Sequence, residues 1–350
     1  MRAFGSDNYS GAHPAVFDKL RAVNADHVVA YGDDPYSAEA VSCLQRQLAA
    51  PDAHIRFTFN GTGTNVLCLS ALLHPWESVL CADSAHIHTD EGGAAEYLAG
   101  LKLVAIPVAD SLSAPDGKLT PQLIEPYRVP PAGEHSRQPR VISISNVTEL
   151  GTVYTPTELK TLSEYAHSHG LYLHCDGARI ANAAAALGVP LSALTSEVGL
   201  DALSFGGTKN ALLGAEAAIW FSDAARAVEG SSFFLRKESA QLSSKMRFVA
   251  AQFLALYEGE LWLQCANQAN AMARRLAGGM RTLGIELPTS PDANEVFAQL
   301  PPGAIAPLQE RFHFYTWDEA AHIIRWVCSW DTTPEEVDEL IAAVREAVIA

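Results

Sequence analysis

Lys209 sits in the run Ser204-Phe205-Gly206-Gly207-Thr208-Lys209-Asn210, and Asp176 heads Asp176-Gly177-Ala178-Arg179. Each follows a short apolar stretch, Leu200-Asp201-Ala202-Leu203 in one case and Leu171-Tyr172-Leu173-His174-Cys175 in the other. A lysine and an aspartate at two strand ends are what pyridoxal phosphate chemistry requires. The amine forms a Schiff base, and the carboxylate keeps the pyridine nitrogen protonated so that the ring accepts electrons. Small residues ahead of the lysine let the backbone pass close to a flat cofactor. Taken singly, Lys209 reads as a surface lysine in a Gly-rich turn and Asp176 as a helix cap. The pair carries the argument.

Three further groups bear on it. Asn60-Gly61-Thr62-Gly63-Thr64-Asn65 lies between an apolar run and a helical pattern. A Gly/Thr-rich turn at a helix N-terminus presents free N–H groups, hydroxyls and the positive dipole end to a phosphate. An ordinary strand-to-helix turn has the same composition. The segment lacks the GKS/T ending of a P-loop and the full dinucleotide fingerprint, so a single-phosphate cofactor fits it better. Next, His86 and His88 alternate in Asp83-Ser84-Ala85-His86-Ile87-His88-Thr89-Asp90-Glu91-Gly92-Gly93. Two histidines on an extended segment suggest a metal, but no third ligand is evident and no metal is expected. His86 suits a ring stacked on the pyridine, from which it could also exchange protons with substrate. Arg179, three residues after Asp176, could clamp a carboxylate in bidentate fashion or form a structural ion pair.

These residues need a scaffold of strands and helices. Apolar, β-rich runs at 55–59, 78–82, 101–107, 141–145, 171–175, 202–205 and 217–221 alternate with helical patterns at 65–73, 121–127, 156–169 and 180–187. Strands apolar on both faces and separated by helices predict a mostly parallel seven-stranded sheet covered on both sides. A long helical region over 242–283 is expected to bridge to a smaller α/β domain, with apolar runs at 296–300, 312–315 and 323–330. Thr333-Pro334-Glu335-Glu336 predicts the start of a closing helix through 348. The expected division is an N-terminal segment 1–14, a large cofactor-binding domain 15–240 and a C-terminal domain 241–350. The Pro/Gly-rich piece 129–133 reads as a surface loop.

Composition excludes several classes. Of 350 residues, 24 are basic and 40 acidic, giving a net charge of -16 with no basic run, which argues against nucleic-acid binding. No apolar stretch reaches membrane-spanning length. Met1 to Ser10 lacks the apolar core of a signal peptide. The six cysteines are scattered without a CxxC pair, which points to free thiols in a reducing, cytoplasmic setting.

The order of motifs resembles the threonine aldolases of the β-eliminating lyase group, pyridoxal phosphate enzymes of fold type I. The resemblance runs nearly end to end. It is strongest at Gly61-Thr62-Gly63-Thr64-Asn65, Ala85-His86, Asp90-Glu91-Gly92-Gly93-Ala94, Cys175-Asp176-Gly177-Ala178-Arg179 and the run from Ser204 to Asn210. Fainter matches are Ser6-Asp7, Gly32-Asp33-Asp34-Pro35-Tyr36 and Arg325. The resemblance implies that Lys209 carries the cofactor, Asp176 meets its ring nitrogen, His86 stacks on the ring, and Gly61, Thr62 and Gly63 bind phosphate. Ser6, Arg179 and Arg325 would hold a substrate carboxylate, and His135 would stand near the substrate hydroxyl. Tyr36 would reach into a neighbouring subunit's site, which implies a homodimer or homotetramer. The implied reaction is retro-aldol cleavage of L-threonine and related β-hydroxy-α-amino acids to glycine and an aldehyde.

Departures from the family pattern occur at Tyr36-Ser37, Ser243-Ser244-Lys245-Met246-Arg247 and Ser145-Asn146-Val147. They point to a diverged low-specificity subgroup. The competing readings are Cα–H chemistry on the same cofactor (β-elimination, racemisation or transamination), a dinucleotide-binding oxidoreductase, and a catalytically silent binding protein of the same fold.

Overall fold

The computed structural model describes residues 2–108, 116–129 and 134–349. Seven strands form the main sheet: β1 (His54–Thr58), β2 (Glu77–Ala82), β3 (Lys102–Ile106), β4 (Gln138–Ser145), β5 (Tyr172–Gly177), β6 (Ala202–Gly206) and β7 (Glu216–Trp220). Their spatial order is β1-β7-β6-β5-β4-β2-β3. β2 through β6 pair in parallel, whereas β7 is antiparallel to both β6 and β1. One reversed strand therefore lies in a sheet whose other six strands run the same way. The consequence for function is geometric. The C-terminal ends of β1, β2, β4, β5 and β6 and the first residue of β7 share one edge, where ligands of open α/β sheets bind.

The strands form where expected because β5, β6 and β7 are buried along their whole length, as strands covered on both faces must be. Helix α1 (Gly61–Leu72) starts four residues earlier than the apolar pattern suggests. The Asn60 side chain caps it, and its Oδ1 accepts from Gly63 N at 2.7 Å. Helix α2 (Ile180–Leu187) has the bounds predicted for it.

The long helical region over 242–283 is instead two helices, α3 (Arg247–Tyr257) and α4 (Leu261–Thr282), broken at Glu258-Gly259-Glu260. Gly259 between two exposed acids is a poor helix interior. Helix α4 links two cores. Trp262, Cys265 and Ala266 pack with the sheet. Met272, Leu276 and Met280 pack with a second cluster that includes Phe4, Val296, Trp326 and Leu340.

That second cluster rests on an antiparallel sheet of β8 (Glu295–Gln299), β9 (Tyr315–Asp318) and β10 (Ile323–Val327), in the order β9-β10-β8. The apolar run at 312–315 is divided. Phe312 and His313 pair with Arg2 and Ala3, while Tyr315 joins β10. The closing helix α5 (Pro334–Ile349) opens on a capping box, with Thr333 Oγ1 accepting from Glu336 N and Glu336 accepting from Thr333 N. Residues 130–133 of the anticipated surface loop lie outside the described residues. Among the described residues, no helix is long and apolar enough to cross a membrane.

Candidate active site

The shared sheet edge holds a cavity of about 390 Å³ whose wall includes Gly61, Thr62, His86, Asp176, Arg179 and Lys209. Lys209 sits in a single 3-10 turn (Thr208–Asn210) directly after β6, and Asp176 lies near the end of the adjacent β5. What sets their separation is backbone contact. A Cβ on Gly206 would fall 2.5 Å from the Ala178 Cα and 2.6 Å from its carbonyl oxygen. Only glycine permits the lysine turn and the aspartate turn to lie this close.

Asp176 is buried. Its Oδ2 accepts from Asn65 Nδ2 at 2.7 Å and its Oδ1 from Ala178 N at 3.0 Å. The same Asn65 amide group donates to Glu91 Oε1 at 2.8 Å, and His86 Nδ1 donates to that oxygen at 2.9 Å. The hydrogen bond to Glu91 raises the His86 pKa above the usual histidine value, against the effect of burial. Glu149 accepts from His86 N at 2.8 Å and from Ser145 Oγ at 2.6 Å, and burial pushes its carboxyl pKa up. His86 is thus gripped at backbone and Nδ1, which leaves Nε2 as its free edge.

His86, Glu91 and Asp176 bring ligand-type atoms within 4.8 Å of one another. This corrects the expectation that no third ligand joins His86. Residues 86–89 form one helical turn instead of an extended segment, so His88 points elsewhere and is exposed. The Asn65 amide bridges the two carboxylates, in the place where a cation would otherwise be needed.

At the phosphate end, Gly61 and Thr62 line the cavity. First-turn amides of a helix have no intrahelical acceptor and favour an anion. Gly63 differs from its expected role. Its N–H is engaged by Asn60, it is buried, and Gln241 fills the space where its Cβ would be.

Arg179 is partly buried and bidentate on Asp7, with Nε to Oδ2 at 2.7 Å and NH2 to Oδ1 at 3.1 Å. It also lies 3.5 Å from Glu295 Oε1, and Arg325 lies 3.6 Å from the same oxygen. Burial opposes the charge on Asp7, but Arg179 overrides it and holds the carboxyl below its ordinary range. Asp7 and Glu295 raise the Arg179 pKa in return, again against burial. Both arginines thus meet at one buried glutamate.

Other expected residues stand apart from the cavity wall. The Ser6 hydroxyl caps the short turn at 7–9, accepting from Asn8 N at 3.2 Å, and Asn8 reaches the wall in its place. Tyr36 is half-buried in the first turn of helix Pro35–Gln47. His135 is exposed ahead of β4 and so lies at the opposite edge of the sheet from Ser145 at the strand's far end. Within its own chain it does not meet Lys209. Sequence reading missed Asn65, Glu149, Glu216, Glu295 and the partnership of Asp7 with Arg179. A charged residue heading an apolar strand, as in Glu216-Ala217-Ala218-Ile219-Trp220, was the available signal.

The residues present fit pyridoxal phosphate. One cavity offers a lysine amine, a buried carboxylate with fixed donors, and a helix N-terminus for a single phosphate, while Glu91 Oε2 is a buried acceptor without a partner.

Comparison with known proteins agrees. Residues 3–301 match the family described as beta-eliminating lyase. A low specificity L-threonine aldolase of Pseudomonas aeruginosa is 40% identical over 98% of this chain and 96% of its own length. One from a Pseudomonas sp. strain is 39% identical over 99% and 98%. A solved threonine aldolase of Leishmania major superposes with a TM-score of 0.92 at 32% identity, covering 99% of this chain and all of that one. An aspartate aminotransferase of Thermus thermophilus (TM-score 0.70, 16% identity) shares the fold alone.

Proposed function

The chain belongs to the β-eliminating lyase family, and on that premise we propose that it cleaves L-threonine, L-allo-threonine and related β-hydroxy-α-amino acids to glycine and an aldehyde. The cofactor is pyridoxal phosphate. The observation that carries the reading is the close approach of the Lys209 and Asp176 turns across Gly206.

When bound, the cofactor supplies an electron sink for whichever bond at the substrate's Cα stands perpendicular to its ring. The residues determine which bond that is. Lys209 would provide the amine that holds the cofactor. Asp176 would hold the proton on the ring nitrogen, and Asn65 and the Ala178 amide keep its carboxylate from turning away. Gly61 and Thr62 would bind the phosphate. Arg179, on the cavity wall, binds the substrate carboxylate and orients Cα so that the Cα–Cβ bond is aligned. Asp7 makes Arg179 rigid in advance, so little freedom is lost when substrate binds. His86 stacks over the cavity, and its Nε2 takes the proton of the β-hydroxyl directly or through a water. Glu91 fixes the ring for that transfer.

The proposed assembly is a homodimer or homotetramer with Tyr36 completing a neighbour's site. Exposed Phe233, Phe234 and Leu213, together with Phe59 at the cavity wall, support a contact there. His135 would act only in a neighbouring subunit. Buried, unpaired thiols among the described residues support a cytoplasmic setting.

Lys209→Ala tests the assignment. The variant should lose both the visible absorbance of the loaded protein and threonine cleavage, and full retained cleavage would overturn the role given to Lys209.

A further inference from the structure

Glu216 has no part in the roles above, yet it opens onto the same cavity as Lys209. It is the first residue of β7, and because β7 alone runs backwards, that position brings a carboxylate to the edge where the other strands end. Register sets it opposite Gly206 on one side and Thr58 on the other. The rest of β7 is Ala217, Ala218, Ile219 and Trp220, all fully buried. A carboxylate at the head of such a strand is costly unless its charge is used.

Its hydrogen bonds run to the lysine turn. Oε2 accepts from Gly207 N at 2.9 Å, and the Thr208 hydroxyl and amide favour its ionised form. The titratable groups facing it are Lys209, from the turn after β6, and the Tyr257 phenol, from α3. Burial pushes its carboxyl pKa up to about 7, while the Lys209 charge pulls in the opposite direction. A hydrogen-bond acceptor for Gly207 N could be a neutral glutamine. A carboxylate adds one thing a glutamine lacks, a negative charge on the wall of the cavity that Lys209 also lines.

We propose that Glu216 is a positioning residue for Lys209: it fixes the Gly207–Lys209 backbone and supplies the buried countercharge that keeps the nitrogen at Lys209 positive once the cofactor is attached. The inference rests on the reading of Lys209 as the attachment site. It predicts that the Glu216 carboxyl and the nitrogen at Lys209 influence each other's protonation, because a nearby positive charge favours the ionised carboxylate.

The test is a pH titration of the visible absorbance of pyridoxal phosphate-loaded wild type, Glu216→Gln and Glu216→Asp. Glu216→Gln should lower the midpoint by about one pH unit, the low end of what loss of an opposite charge does. Glu216→Asp, which keeps the charge, should return it to within a few tenths of a unit of wild type. In Glu216→Gln, kcat for threonine should fall about tenfold with KM within twofold, as expected for loss of an interaction acting on the reacting centre. A role confined to packing would lower thermal stability and leave the midpoint unmoved, which would overturn the proposal. So would a Glu216→Asp midpoint that stays with Glu216→Gln. If neither variant folds, the wild type still decides. In the loaded protein, a difference infrared spectrum taken across the visible midpoint should show a carboxylate band that shifts with the change in charge at Lys209, and the absence of any carboxylate response counts against the proposal. A wild type with no visible band would instead refute the attachment of cofactor at Lys209, so the two failures are distinguishable.

Discussion

Replacing Gly206 by alanine perturbs the one contact that fixes the lysine turn against the aspartate turn. The added methyl would stand 2.5 Å from the Ala178 Cα, 2.6 Å from its oxygen and 2.8 Å from its carbonyl carbon. Ordinary contact begins near 3.4 Å, so about 1 Å of separation must be found. No side chain can rotate away, because every colliding atom is backbone. Overpacking of this kind costs ~1–3 kcal/mol, and the immobility of the neighbour places the expected loss near ~3 kcal/mol. A ~1 Å displacement between Lys209 and Asp176 should also reduce kcat/KM about 100-fold. Urea unfolding of the unloaded protein measures the first effect and threonine cleavage the second. Gly61→Ala is the matched control, since its Cβ would meet nothing within 4 Å. That variant should keep unloaded stability within ~0.5 kcal/mol, the usual range for uncrowded sites. Its affinity for pyridoxal phosphate should still fall, because the phosphate approaches that backbone. If Gly206→Ala kept both its stability and its activity, the close approach could not be what sets the Lys209–Asp176 geometry.

Asn65→Ala would leave Asp176 and Glu91 facing each other without their shared donor. Two hydrogen bonds to charged groups at ~1.5–3 kcal/mol each predict a loss of ~3–6 kcal/mol by chemical denaturation, together with weaker cofactor binding. Arg179→Lys keeps a charge but cannot span both oxygens of Asp7. It should raise KM for threonine by about tenfold or more, because bidentate geometry is lost. Glu91→Gln should shift the pH inflection of cleavage due to His86 toward lower pH, because the Glu91 hydrogen bond raises the His86 pKa in the folded protein. The stability that this raised pKa provides is fully present below the ordinary histidine pKa of ~6.5 and is lost as pH rises through the folded value, so wild type should exceed the variant only on the acid side. Finally, the six cysteines are all buried, and burial pushes the Cys68 and Cys81 thiols up to about 12. A thiol reagent such as DTNB should therefore react with the protein only as fast as it unfolds.

The main sheet was legible in the chain because each of its strands is a short apolar run bounded by Gly, Asp or Asn, and the structure moves their ends by only one to three residues. Lys209, Asp176, Arg179 and His86 stood out because each follows such a run. Their partners were not legible. Glu91 meets Asn65 only once α1 lies across the main sheet, and Glu295 meets Arg325 and Arg179 only when β8 pairs with β10 and packs against the turn after β5. A carboxylate in sequence carries no mark of whether it will be solvated or buried against an arginine. The long helix was misjudged for a related reason, since apolar periodicity continues through Glu258-Gly259-Glu260 while the backbone does not.

The most direct test of the account is the product of L-threonine turnover by the loaded protein. Cleavage of Cα–Cβ predicts glycine and acetaldehyde in equal amounts, abolished in Lys209→Ala and repeated to differing extents with L-allo-threonine. Formation of 2-oxobutyrate and ammonia, with no acetaldehyde, would place the broken bond elsewhere and contradict the assignment.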